Sequence, residues 1–302
     1  MRNEAFSNAQ AKLLERCGII AEERWVAAPT VRGEAHVLIT GDGPPVVLLN
    51  GIGVPGAMLA PLMAKLNGVT QYAIDLPAFG LTDSVPGFAE DLRSNAVEFL
   101  CDVFDGLGLT NPVVIGSSLG SLWASWLAID RPDRVSALVH IGCPAVVLDT
   151  SAPLPMRLLS TRGLGRLMMR LQPPSERQVE QLAKMVHEAP LPPEISDLIL
   201  ATERLAHFES TFLATLNHLV TARGNRPHRA LSAEQLAMID QPALLVFARN
   251  DPMGGPSVGT RVEAAMPNAE LHVVDGGHGP WIHGSEQIGP LVDGFLKQLN
   301  AA

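Results

Sequence analysis

Cysteine is scarce, with three residues in a chain of 302. Cys17, Cys101 and Cys143 are far apart, odd in number and without CxxC spacing. That pattern excludes a disulfide framework and a thiolate zinc site, and all three read as small buried hydrophobes. Clustered positive charge is also missing: 22 basic residues face 31 acidic ones, a net charge of -9, and the Lys and Arg residues form no run or stripe. Nucleic acid is therefore not an expected partner. No apolar stretch approaches the roughly 20 residues that a spanning helix needs, so no membrane span is expected. The first residues, MRNEAFSNAQAKLLERCG, lack an apolar signal core and read as a short amphipathic helix, which makes the cytoplasm the expected location. Neither a phosphate-binding glycine loop followed by Lys nor an HExxH pattern occurs, so no metal and no organic cofactor is expected.

What is present is a composition that can bury a large core. Apolar residues make up 47% and charged residues 18%, with a mean hydropathy of +0.18. Short apolar runs bounded by Gly, Pro, Asn or Asp recur at 46–50, 71–75, 112–116, 137–141, 243–248 and 270–274. They read as strands buried on both faces. Helical periodicity fills 89–107, 119–130 and 285–299, and the alternation implies a mostly parallel sheet covered by helices. Segments 23–31 and 34–40 flank an Arg-Gly turn and predict an antiparallel hairpin at the start of the sheet.

The alternation breaks between Pro144 and Gln241, where Pro punctuates helical patterns at 156–171, 175–188, 193–206 and 208–222 and no clear strand is visible. The spacing predicts a helical cap, residues 144–241, inserted between core segments 1–143 and 242–302. Its Met156, Leu158, Leu159, Leu164, Leu167, Met168, Met169 and Leu171 suit either a lid over a lipophilic pocket or a small core of the cap's own.

The chemistry concentrates at Gly116-Ser117-Ser118-Leu119-Gly120, directly after one expected strand and directly before a helix. In a G-x-S-x-G turn the flanking glycines let backbone pass close to a serine exposed at a helix N-terminus. Only Ser118 has Gly at both two-residue offsets, so Ser117 and Ser121 read as packing and capping residues. A serine hydroxyl needs a base, and the base needs an orienting acid. Asp251 follows the apolar run at 243–248 and His278 the run at 270–274, which gives the chain order Ser, Asp, His.

With these residues in view, the chain resembles the α/β-hydrolase family from about residue 34 to residue 299. VVLLNGIGVPGA at 46–57 is similar to the family's oxyanion-loop segment, and AIDLPAFGLTDS at 73–84 to its next strand and loop. PALLVFARNDPM at 242–253 is similar to the acid-bearing segment and GGHGPWIHGSEQI at 276–288 to the histidine loop. The resemblance implies an α/β-hydrolase fold of about eight mostly parallel strands, with a helical cap inserted after the sixth. It implies that the backbone N–H groups of Ile52 and Leu119 form an oxyanion hole. Two departures stand out: Asn50-Gly51 replaces a common His-Gly, and His283 stands where many relatives carry an acid.

Rivals exist for each role. His283 is the nearest alternative base, Asp149 lies beyond a strand after which some relatives keep their acid, and Asp275 sits too close to His278 to orient it easily. Asp75 and Asp83 read as loop-fixing residues. The expected chemistry is hydrolysis of a small lipophilic ester or lactone through an acyl-enzyme on Ser118. Hydrolysis of a carbon–carbon bond in a diketone by the same triad is the alternative, and a slow-turnover binding protein the rival from another class. A serine nucleophile argues against haloalkane or epoxide hydrolysis, in which relatives form an alkyl ester on a carboxylate.

Overall fold

The computed structural model describes residues 4–301. The chain opens with α1 (Glu4–Arg16), then the hairpin β1 (Glu22–Ala28) and β2 (Gly33–Gly41). β3 (Pro45–Leu49), α2 (Ala60–Met63), β4 (Thr70–Ile74), α3 (Leu92–Leu107), β5 (Val113–Ser117), α4 (Leu119–Asp130) and β6 (Ala137–Ile141) follow. Five helices come next: α5 (Leu154–Leu159), α6 (Leu164–Leu171), α7 (Glu176–Met185), α8 (Pro193–Glu203) and α9 (Phe208–Leu219). A two-residue-per-strand hairpin, β7 (Val220–Thr221) and β8 (Gly224–Asn225), and α10 (Ala233–Leu236) lead back to β9 (Ala243–Ala248), α11 (Pro256–Ala265), β10 (Ala269–Val274) and α12 (Trp281–Ala301). Met1–Asn3 of the expected amphipathic helix lie outside the described residues.

Eight strands form one sheet in the order β1-β2-β4-β3-β5-β6-β9-β10, antiparallel at β1–β2 and β2–β4 and parallel elsewhere. Every residue of β6 and β9 is buried, which is why these strands read as continuous apolar runs. The two edges are different: β1 opens with exposed Glu22, Glu23 and Arg24, and β10 carries Glu270 and His272, charges that discourage further strand pairing. Alternation splits each strand between two cores. Val47 and Leu49 of β3 join α3 and α4 on one face, while Val46 and Leu48 join α1, α2 and α12 on the other.

Several expectations change on inspection. Cys17, directly after α1, and Cys101, within α3, are only half-buried; Cys143 alone is fully buried. The expected helix 156–171 is broken at 160–163, where Gly163 adopts φ 79°. α6 then rests on α9 through Gly165, whose position is so close to Leu159 O that a side chain would not fit. Its opposite side is left outward, so Leu164, Leu167 and Leu171 are exposed, as is Leu158 of α5, and these four pack no cap core. The β7–β8 hairpin has no sequence signal beyond the Arg223-Gly224 turn. Among the described residues, no helix is long and apolar enough to cross a membrane.

One buried group makes acid stability measurable. His140, on central strand β6, is enclosed with its Nδ1 unpartnered among the described residues, and burial pushes its pKa down to about 4. The unfolded chain binds this proton near pH 6.5, the folded chain only near 4. Stability is therefore complete above 6.5 and is lost as pH falls through this window, by about 3 kcal/mol at pH 4. Urea unfolding of the wild type between pH 7 and 4 is expected to show that slope, and His140→Leu to flatten it.

Candidate active site

β3, β5, β6, β9 and β10 are parallel, so the loops at their C-terminal ends converge on one edge of the sheet. Ser118 stands at the turn from β5 to α4 with φ 50° and ψ -110°, a conformation that costs a non-glycine residue about 1–3 kcal/mol. The turn is held by two close approaches. A Cβ on Gly120 would lie 2.2 Å from Leu49 O, and one on Gly116 would lie 2.6 Å from Ser121 N. Gly120→Ala is accordingly expected to destabilise the fold by about 3 kcal/mol or more, measured by urea unfolding, because strand backbone and not a flexible side chain must yield.

Ser118, Ile52 and Leu119 line the same cavity, with Ala145, Met156, Leu216, Leu219 and Met253 among its other walls. Its empty volume is about 370 Å³, part of it open to solvent. Among the described residues, no charged side chain lines it. No hydrogen bond within the described residues engages the backbone N–H of Ile52 or Leu119. Leu119 is the first residue of α4, where the N–H has no partner inside the helix and the helix dipole is positive. The loop bearing Ile52 is braced by Asn50: its Oδ1 accepts from Gly51 N at 2.7 Å and its Nδ2 donates to Pro55 O at 3.1 Å. The departure from His-Gly thus supplies a self-contained brace for this loop.

Asp251 and His278 are joined. The imidazole Nδ1–H donates to the Asp251 carboxylate, 3.0 Å from each oxygen. Cys143 N at 2.9 Å and Met253 N at 2.8 Å donate to the same carboxylate. Burial pushes the Asp251 carboxyl up, but the His278 charge and hydrogen bond, together with these two N–H donors, outweigh it and the net shift is down. For His278 burial acts downward, and the Asp251 charge and hydrogen bond, with the Glu188 charge, carry the net shift upward. Among the described residues no hydrogen bond joins Ser118 Oγ to the His278 ring; the structure links His278 to Asp251 and places Ser118 in the cavity wall. In ligand-free sites that contact is often long and tightens with substrate.

The rivals lie elsewhere. His283 donates from Nε2 to Glu188 O at 3.0 Å. Asp149 pairs with Arg261 and Asp275 with Arg249, both on the exposed surface. Asp75 is fully buried and accepts from Gly56 N, Leu81 N and His36 Nδ1, tying two loops together, while Asp83 accepts from Glu34 N. Ser117 and Ser121 are buried with hydroxyls unpartnered among the described residues.

The chain matches the model of a known family, described as the alpha/beta hydrolase fold, over residues 44–284. The chain belongs to the α/β hydrolase family. Among curated relatives, this α/β hydrolase is 27% identical to a pimeloyl-[acyl-carrier protein] methyl ester esterase of Shewanella woodyi, covering 87% of this chain and 98% of that one. It is 28% identical to a 2-hydroxy-6-oxononadienedioate/2-hydroxy-6-oxononatrienedioate hydrolase of Klebsiella pneumoniae, covering 87% and 91%. In fold it matches carboxylesterase CesB of Bacillus subtilis with a TM-score of 0.75 at 24% identity, over 96% of both chains.

One buried acid in this region carries no sequence signal. Glu188, in the segment after α7, is 2% exposed and accepts at Oε1 from Gly277 N at 2.8 Å and Gly279 N at 3.1 Å. It precedes a proline-rich turn and has no periodicity that separates it from the exposed acids nearby.

Proposed function

We propose that this hydrolase cleaves a small lipophilic carboxylic ester or lactone, with Ser118 as nucleophile, His278 as base and Asp251 as the acid that orients it. The observation that carries the reading is the shared cavity, where a strained serine faces the same space as two unengaged backbone N–H groups. Such donors are what a developing oxyanion requires. As substrate settles, His278 Nε2 takes the Ser118 proton, Oγ attacks the acyl carbonyl, and the N–H groups of Ile52 and Leu119 hold the oxyanion. His278 then protonates the leaving alkoxide, and water, deprotonated by the same imidazole, releases the acid. Residues 144–241 act as a cap whose Met156, Leu216 and Leu219 wall the acyl site. The three free thiols suit a reducing compartment, so the cytoplasm is the proposed location.

The apolar lining favours an ester over a dicarboxylate diketone, because burying a carboxylate without a partner is costly. A panel of p-nitrophenyl acetate, butyrate and octanoate, aliphatic lactones and a dienedioate ring-cleavage product tests this. Neutral esters or lactones are expected to give the highest kcat/KM. Faster turnover of the dienedioate would overturn the substrate assignment and favour carbon–carbon hydrolysis.

The upward shift of His278 fixes the pH dependence. The base must be neutral, so kcat/KM is expected to fall as pH drops through a pKa above the ordinary 6.5. A profile whose acid limb lies well below 6.5 would contradict the ion-pair geometry.

A further inference from the structure

The segment Val186–Ala189 touches both loops that carry the acid and the base. Val186 O accepts from His278 N at 2.9 Å, and His187, at φ 59°, donates from Nδ1 to Asn250 O at 2.7 Å. Glu188 Oε1 receives Gly277 N and Gly279 N, the residues on either side of His278, and Glu188 O receives His283 Nε2. The contact is close at backbone level: a Cβ on Gly277 would lie 2.3 Å from Val186 O and 2.7 Å from His187 O. Gly277 does not adopt a positive φ, so its lack of a side chain serves this approach. A carboxylate that is almost fully enclosed is costly unless it is hydrogen-bonded, and here both bonds from Oε1 go to the backbone that presents the base.

We propose that Glu188 is a positioning residue: from the inserted helical region it fixes the backbone on both sides of His278 and places a second negative charge behind the imidazole, so that the insertion completes the catalytic base. This rests on the reading of His278 as the base. Two mechanisms follow, and they separate by substitution. The hydrogen bonds set ring orientation, and a displacement of about 1 Å in such a group costs roughly 100-fold in rate. The charge favours the imidazolium. The groups facing His278 are Asp251 and Glu188, and those facing Glu188 are His278 and His283; the Cys143 thiol faces Asp251. Removing the Glu188 charge leaves Asp251 alone to hold the proton, so the base stays neutral further into acid.

The test is the second-order rate of fluorophosphonate labelling across pH 5–9 for the full-length wild type, Glu188→Gln and Glu188→Ala, with the folded fraction measured by urea titration. Glu188→Gln keeps an acceptor for both N–H groups; its alkaline rate is expected to fall by less than about tenfold while its acid limb moves to lower pH. Glu188→Ala is expected to fall about 10- to 100-fold per folded molecule at every pH. Should the alanine variant fail to fold, the shift in the glutamine variant still decides the matter. Coincident pH profiles for wild type and Glu188→Gln, or a Glu188→Ala protein that is less stable yet labels at the wild-type rate when folded, would overturn the proposal and leave the Ser118 reading intact. A folded wild type that does not label would overturn the activated-serine reading and this inference with it.

Discussion

Ser118→Ala is expected to lower kcat on the best ester of the panel by about 10⁵- to 10⁶-fold. In the proposed mechanism the Ser118 hydroxyl oxygen is the atom that bonds to the acyl carbon, and Ser117 and Ser121 cannot replace it, being buried and outside the cavity wall. Alanine tolerates the elbow about as well as serine, since each carries a single Cβ and meets the same strain at φ 50°. The folding free energy should therefore change by no more than about 1 kcal/mol. Residues that act as a unit are not additive, so Ser118→Ala with His278→Ala should be no slower than Ser118→Ala alone. Steady-state rates of the wild type, Ser118→Ala and the double variant, set beside urea unfolding curves, check both statements. A Ser118→Ala enzyme within tenfold of wild type would place the chemistry at another residue.

Asp251→Asn is expected to cost about 10⁴ in kcat with little change in KM. The carboxylate receives the His278 Nδ1–H and two backbone N–H groups. An amide can still accept from Cys143 N or Met253 N, but its NH₂ turned toward the ring would require Nδ1 to accept. The imidazole proton then sits on Nε2, and the ring can no longer take the serine proton. The negative charge that raises the His278 pKa disappears as well, so the residual activity should lose its acid limb toward lower pH. The pH–rate profile of the variant measures both effects. A fall confined to KM would show that Asp251 shapes the cavity and does not orient the base.

Much of the fold could be read from local pattern because the parallel strands are buried on both faces. The runs at 137–141 and 243–248 coincide with β6 and β9, 270–274 starts one residue inside β10, and 46–50, 71–75 and 112–116 are each offset by one residue from β3, β4 and β5. The elbow was equally legible: Gly116 and Gly120 are glycine for reasons of contact with the next turn and with Leu49, which no other residue type satisfies. The inserted helices were harder. Pro punctuation predicts four helical patterns, whereas five helices, α5–α9, and the short α10 form, and which face of α6 turns outward depends on how Gly165 seats against the Leu159 backbone and Leu213, a long-range contact. The kink at Gly284, where φ is -109°, and the short β7–β8 hairpin are likewise set by packing more than by propensity. Glu188 was invisible for the same reason. Its partners, Gly277 and Gly279, lie 89 and 91 residues along the chain, and an isolated acid before Ala-Pro resembles any surface loop residue until the chain is folded.

Intact-mass analysis after exposure to a fluorophosphonate, comparing wild type with Ser118→Ala, goes directly to whether this serine is activated. One phosphonyl adduct on the wild type and none on the variant is the expected result, with peptide mapping placing the adduct in the segment that contains Gly116–Gly120. An unlabelled, folded wild type, or an adduct that persists in Ser118→Ala, would contradict the account.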